Sequence, residues 1–209
     1  MIEDSCHPMV LVVDDDEAMR DSICYLLESV NLPCKAFASA HEFMEFCDAR
    51  LQGCILLDIR MPGMNGMELL ENLKAQGIKL PVIIITGHGD VPLAVRAMKQ
   101  GAFDFLQKPF PSQTLLDRVY AAIESLRENH QKTRQMDDLR SSFDSLTNRE
   151  KEIMEMVVAG SSSKVIGMTL GISSKTVDIH RSSIMKKLDV RNVAELVQRR
   201  LALQDEQKS

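Results

Sequence analysis

Cys54-Ile55-Leu56-Leu57-Asp58-Ile59-Arg60-Met61-Pro62-Gly63-Met64-Asn65-Gly66 runs from an unbroken apolar stretch into an aspartate, then through proline and glycine into a helix-period segment over 66–76. An apolar run without polar alternation predicts a strand buried on both faces, and the proline and glycines predict the turn that ends it. The same unit recurs on either side. Residues 10–13 are apolar, stop at Asp14-Asp15-Asp16 and precede a helix over 19–30 with Ile23, Leu26, Leu27 and Val30 on one face. A weaker strand near 33–37 precedes a helix near 40–50. A fourth strand over 82–85 ends at Thr86, and the helix over 91–100 that follows has Pro92 in its first turn and Gly101 just past its end. A fifth strand over 102–107 ends at Lys108, and another helix starts near 112. Buried strands alternating with helices predict an α/β fold around a parallel sheet.

The polar residues sit where the strands stop. In open α/β sheets, ligands bind outside the carboxyl ends of the strands, so folding gathers Asp14, Asp15, Asp58, Thr86 and Lys108 at one edge. Crowded carboxylates repel and favour a hard divalent cation. A lysine offsets charge on an incoming phosphoryl group, a threonine hydroxyl donates to a phosphoryl oxygen, and one aspartate can act as nucleophile to give an aspartyl phosphate. Any one of these alone has a plainer reading, since an aspartate after a strand is ordinarily a helix N-cap or turn residue. Four strand ends supplying complementary chemistry point to phosphoryl transfer onto a carboxylate.

Val13-Asp14-Asp15-Asp16, Leu57 through Gly66, Ile85-Thr86-Gly87-His88-Gly89-Asp90 and Lys108-Pro109-Phe110 resemble the four signature segments of response-regulator receiver domains. The resemblance implies a flavodoxin-like five-stranded parallel sheet of order 2-1-3-4-5, with Asp58 as phosphoacceptor and Asp14 and Asp15 as the acidic pocket. It implies Mg²⁺ held by Asp15, Asp58 and the Arg60 backbone carbonyl, with Asp14 acting through water. It further implies Lys108 against the phosphoryl group, a cis bond to Pro109, and Thr86 and Phe105 as switch residues that reshape the face of the fourth helix, fifth strand and fifth helix.

The C-terminal part reads differently. Thr147 with Glu150 three residues on predicts a capping box, and the helix it opens runs to about 159 and stops at Gly160. A short helix near 163–170, Gly171-Ile172-Ser173 as a turn with Ser173 as N-cap, and a third helix to about 188 make a helix-turn-helix signature. At about 100° per residue, Val177, Ile184 and Leu188 of the third helix share a core side, while Lys175, Ile179, Ser182 and Lys186 share the opposite one. Two cations, a hydroxyl and an exposed β-branched residue suit phosphates and major-groove base edges. Leu146-Thr147-Asn148-Arg149-Glu150, Ala159-Gly160 and Ser174 through Arg181 resemble the LuxR-type DNA-binding domain. That likeness implies an all-α four-helix unit with Asp178, Ile179 and Ser182 at base edges. Lys175, Thr176, His180 and Lys186 would lie at the DNA backbone, and the last helix, near 193–203, would dimerise. Asp178 departs from the pattern, because an acid stands where relatives often carry a cation. Taken whole, the chain resembles the NarL/FixJ group, with the His88-Gly89-Asp90 region nearest its FixJ branch.

These readings divide the chain into a receiver over 8–125, a helical linker over 126–144 and a helix-turn-helix domain over 145–209. The linker lacks glycine and proline. Leu116, Val119, Ile123 and Leu126, and again Met136, Leu139, Phe143 and Leu146, recur at helical spacing, as one helix or as two with a break near 128–134. The net charge of −5 is uneven, −8 over residues 1–124 and +3 over 145–209, so only the second part suits phosphate contact. No apolar run approaches a membrane span and the N-terminus lacks a leader pattern, so a cytoplasmic protein with no membrane partner is expected. Five cysteines without metal or C-x-x-C spacing read as reduced thiols. The expected function is a phosphorylation-activated transcription factor, not an enzyme beyond phosphoryl transfer at its own Asp58. Its expected partners are a sensor histidine kinase, promoter DNA as duplex, RNA polymerase and a second copy of the phosphorylated chain. Two alternatives stay open: a phosphohydrolase, disfavoured because Arg60 stands where a second aspartate would be needed, and a constitutive DNA-binding module.

Overall fold

Burial orders the sheet. In a computed structural model describing residues 8–48, 51–87 and 91–206, the strands are β1 (Met9–Val13), β2 (Cys34–Phe37), β3 (Gly53–Asp58), β4 (Val82–Thr86) and β5 (Asp104–Gln107). They pair parallel in the order β2-β1-β3-β4-β5. All six residues of β3, the central strand, are buried, as its unbroken apolar run demands. Interleaved helices α1 (Glu17–Ser29), α2 (Ala40–Phe46), α3 (Gly66–Ala75) and α4 (Val91–Gln100), with the start of α5 (Ser112–Asp144), cover the two faces. Leu11, Val13, Ile55, Leu57 and Ile84 point into one apolar cluster, and Val10, Val12, Leu56, Ile83 and Ile85 into the other, the alternation a strand imposes.

Several local expectations shift. The first helix starts at Glu17, because the Asp16 side chain caps it by accepting from the Ala18 and Met19 N–H groups. The second helix is shorter than expected and ends at Phe46, with Cys47 as an extended C-cap; residues 49–50 of that expectation lie outside the described residues, as do His88, Gly89, Asp90 and the extreme N-terminus. The fifth strand starts at Asp104, because the Ala102 N–H is used by the Ala97 carbonyl at the end of α4. The thiols also depart from expectation: Cys24 of α1 and Cys34 of β2 form a disulfide, their Cα atoms 5.4 Å apart. The tight return over 30–33, with Asn31 in the left-handed region, lays the end of α1 against β2. Cys54 stays a free thiol, and burial pushes it up to about 12.

The chain divides into two compact units, 1–129 and 130–209. α5 carries both apolar stripes read from the linker. Leu116, Val119, Ile123 and Leu126 enter the cores of the first unit, while Phe143, Met136 and Leu139 join Leu146 in the core of the second. That second unit adds α6 (Asn148–Val158), α7 (Ser163–Leu170), α8 (Ser174–Lys187) and α9 (Val193–Glu206). The predicted capping box at Thr147 and Glu150 is present, Ser173 caps α8, and Gly171 ends α7 in the left-handed conformation that a residue without Cβ adopts freely. No helix among the described residues is long and apolar enough to cross a membrane.

Candidate functional site

The strand ends converge as the sheet order requires. Asp14 follows β1, Asp58 closes β3, and both are almost fully buried, at 3% and 6% exposure. The Lys108 ammonium, after β5, donates to Asp14 Oδ2 at 2.6 Å and to Asp58 Oδ1 at 2.9 Å. The second Asp58 oxygen accepts from the Arg60 N–H, and the second Asp14 oxygen accepts from the Asp16 N–H at 3.0 Å. Thr86 is 1% exposed at the end of β4, and its carbonyl accepts from the Lys108 N–H at 2.9 Å. The Lys108–Pro109 bond is cis. Phe105, half-buried on β5, packs against the core that includes Leu57 and Ile84.

Electrostatics follow from this crowding. Burial pushes the Asp58 carboxyl above its ordinary range, with Asp14 adding to that push, and the Lys108 ammonium and Arg60 N–H offset only part of it. Burial pulls the Lys108 ammonium down, but its bonds to Asp14 and Asp58 outweigh it and hold the group above the usual lysine value. The ammonium thus stands between two carboxylates that would otherwise repel.

Asp15 is exposed and borders a groove with Ile59, Arg60, Glu68 and Arg96. Among the described residues, no group of three or more His, Cys, Asp or Glu side chains is arranged to hold a metal ion. The donor chemistry nonetheless fits a hard dication: two buried carboxylates, a third at the adjoining groove and the nearby Arg60 backbone are oxygen donors of the type Mg²⁺ takes. A residue missed in the sequence is Arg20, whose guanidinium donates to the Asp14 carbonyl at 2.8 Å and fixes the turn after β1. Its position one turn into α1, after the Asp16 cap, is the signal that could have found it.

Gly66 lets α3 start directly over the pocket. A Cβ there would lie 2.2 Å from the Asp58 carbonyl oxygen and 2.9 Å from Ile59 Cα. Gly66→Ala is therefore expected to lower the stability of the first unit by about 1–3 kcal/mol, as overpacking does. Calorimetry against the parent chain reads the effect.

In the second unit, α8 is clamped on both flanks. Val177, Ile184 and Leu188 are buried beneath it. On one flank, Ser183 Oγ donates to Glu150 Oε1 at 2.7 Å and Lys187 Nζ to Glu150 Oε2 at 2.7 Å, tying α8 to α6. On the other, Asp178 Oδ1 accepts from Ser163 Oγ of α7 at 2.6 Å. Lys175, Ile179, Ser182 and Lys186 are left together on the open face, Ile179 with 63% exposure. Thr176 bonds its hydroxyl to the Ser173 cap, and His180 is half-buried, so both lie on a flank rather than on the open face. Ser182 donates to the Asp178 carbonyl at 3.0 Å, which leaves its oxygen to accept.

Comparison with known proteins agrees with both halves. Residues 10–120 match the response regulator receiver domain family, and residues 144–199 match the bacterial regulatory proteins of the luxR family. The chain is 42% identical to Nodulation protein W of Bradyrhizobium diazoefficiens over 93% of its own length and 86% of that protein. It is 41% identical to the transcriptional regulatory protein FixJ of the same species, over 93% of its length and 94% of the relative. Among solved structures, response regulator StyR superposes with a TM-score of 0.83 at 42% identity, covering 92% of this chain and 98% of that one.

Proposed function

Since this chain belongs to the two-component response regulators of the NarL/FixJ type, a receiver followed by a LuxR-type DNA-binding domain, we propose that Asp58 is its phosphoacceptor and that phosphorylation there governs duplex DNA binding by α8. The carrying observation is the convergence of Asp14, Asp58 and Lys108, from three separate strand ends, within hydrogen-bond distance. An Asp58 oxygen attacks the phosphorus of a kinase phosphohistidine. The P–O bond forms as the P–N bond breaks, and its electron pair returns to the imidazole, which takes up a proton. Lys108 pairs with the developing phosphoryl charge and releases the Asp58 oxygen it holds at rest. Asp14, Asp15, Asp58 and the Arg60 carbonyl would hold Mg²⁺, which supplies neutralising charge when bound.

The Thr86 hydroxyl then turns to a phosphoryl oxygen, and the half-buried Phe105 ring moves into the space Thr86 leaves. The exposed apolar residues Val91, Val95 and Met98 of α4 provide a surface whose burial between two phosphorylated copies drives dimerisation. Two α8 helices then meet adjacent half-sites in the promoter. Lys175 and Lys186 lie at phosphates, Ile179 and Ser182 at base edges, and Thr176 and His180 at the DNA backbone. RNA polymerase is the further partner, and the cytoplasm the compartment where kinase, DNA and polymerase meet. Incubation with acetyl phosphate and Mg²⁺, followed by intact mass and light scattering, tests the reading. One phosphoryl group per chain with a shift to dimer supports it; stoichiometric labelling at any residue other than Asp58 overturns it.

A further inference from the structure

We infer that Asp178 is a positioning residue of the recognition helix and not a reader of base edges: its carboxylate holds the first turn of α7 through Ser163, while its charge weakens binding to every duplex alike. The inference rests on the proposal that α8 reads DNA. An exposed aspartate on such a helix has two possible uses. It can accept from cytosine N4, which makes it a specificity residue, or it can serve the protein's own framework.

Its bonds decide between them. Ser163 Oγ donates to Asp178 Oδ1 at 2.6 Å, and the same Ser163 oxygen accepts from Arg181 Nη1 at 3.2 Å. Asp178 and Arg181 are one helical turn apart on α8, so the serine links both to the start of α7. At about 100° per residue, Asp178 stands about 70° round α8 from the middle of the face formed by Lys175, Ile179, Ser182 and Lys186, on the side where α7 packs. In helix-turn-helix docking the first helix of the motif crosses the DNA backbone while the second enters the groove. An acid tied to that first helix is turned toward phosphates, where it repels and carries no sequence information. Specificity then belongs to Ile179, Ser182 and the lysines, and Asp178 acts as a uniform brake on affinity.

The test uses the full chain, with and without acetyl phosphate and Mg²⁺, to select from a randomised duplex DNA pool. Asp178→Asn keeps an acceptor for Ser163 and removes the charge. It is expected to keep the parent base preference at every position and to bind selected and random duplex about three- to tenfold more tightly at low salt, the scale of one unit charge in water. Its log K against log salt should also be steeper. A change of preference confined to one base position overturns the inference. Ser163→Ala should weaken binding with base preference intact, and adding it to Asp178→Ala should cost nothing further. A further loss in the folded double variant, checked by thermal melting, overturns the tie. A parent chain that enriches no sequence in either state overturns the DNA reading itself, and this inference with it. A parent that enriches normally beside an Asp178→Asn variant with altered preference overturns this inference alone.

Discussion

Asp58→Asn is expected to take up no phosphoryl group from acetyl phosphate and to lose the whole donor-dependent gain in DNA affinity, about 5–150-fold for two sites coupled through one conformational equilibrium. Geometry makes the variant clean. An asparagine oxygen can still accept from Lys108, and Asp14 keeps its own bond to that ammonium, so the strand ends stay together. What disappears is the nucleophile, because an amide offers no charged oxygen to attack phosphorus. The amide also removes one of the two buried charges that Lys108 balances, so the fold should not suffer. Intact mass, sizing and DNA titration with and without donor measure the outcome. Unchanged donor-dependent dimerisation and DNA binding in this variant would end the phosphoacceptor assignment.

The second large effect lies in the other unit. Glu150 is 4% exposed and receives the Lys187 ammonium at 2.7 Å, the Ser183 hydroxyl at 2.7 Å, the Thr147 N–H at 2.8 Å and the Thr147 hydroxyl at 3.1 Å. Burial alone would raise its carboxyl, but the Lys187, Ser183 and Thr147 bonds lower it to about 2. Removing one partner of a buried, bonded pair destabilises by about 3–5 kcal/mol. Lys187 is about one-third exposed and can turn to water, which places Glu150→Ala near the lower end of that range. At roughly 4–8 °C per kcal/mol for a unit of this size, its melting transition should fall well clear of the parent's.

The pH dependence has a definite sign. The folded group titrates below its ordinary value of 4.5, so the stability it contributes is fully present above pH 4.5 and is lost as pH falls toward about 2. Calorimetry at pH 7 and pH 3 should therefore show the gap between parent and Glu150→Ala narrowing in acid. A gap that stays constant would mean that the carboxylate charge contributes nothing.

Much of this was legible beforehand, for identifiable reasons. Parallel strands are buried on both faces, so their apolar runs stop abruptly at the polar residues that matter, and Asp14, Asp58, Thr86 and Lys108 could be read as one edge. The open face of α8 followed from helical arithmetic, and Lys175, Ile179, Ser182 and Lys186 are indeed exposed together. What stayed hidden depends on how separate helices cross. Glu150 read as a capping-box residue, which it is, but its bond to Lys187 spans 37 residues and leaves no local pattern. The bond between Asp178 and Ser163, 15 residues apart, likewise exists only once α7 lies across α8. The Cys24–Cys34 bond was missed likewise, since no spacing rule announces that the end of α1 returns onto β2.

The placement of Lys108 has a consequence for the idle protein. Its ammonium is a resident counter-ion, covalently part of the chain and therefore always at saturating local concentration. A scarcity of free magnesium would leave the carboxylates still clasped and the strand tips still gathered. Shape is thereby separated from ion supply: the strand tips keep their arrangement on the chain's own charge.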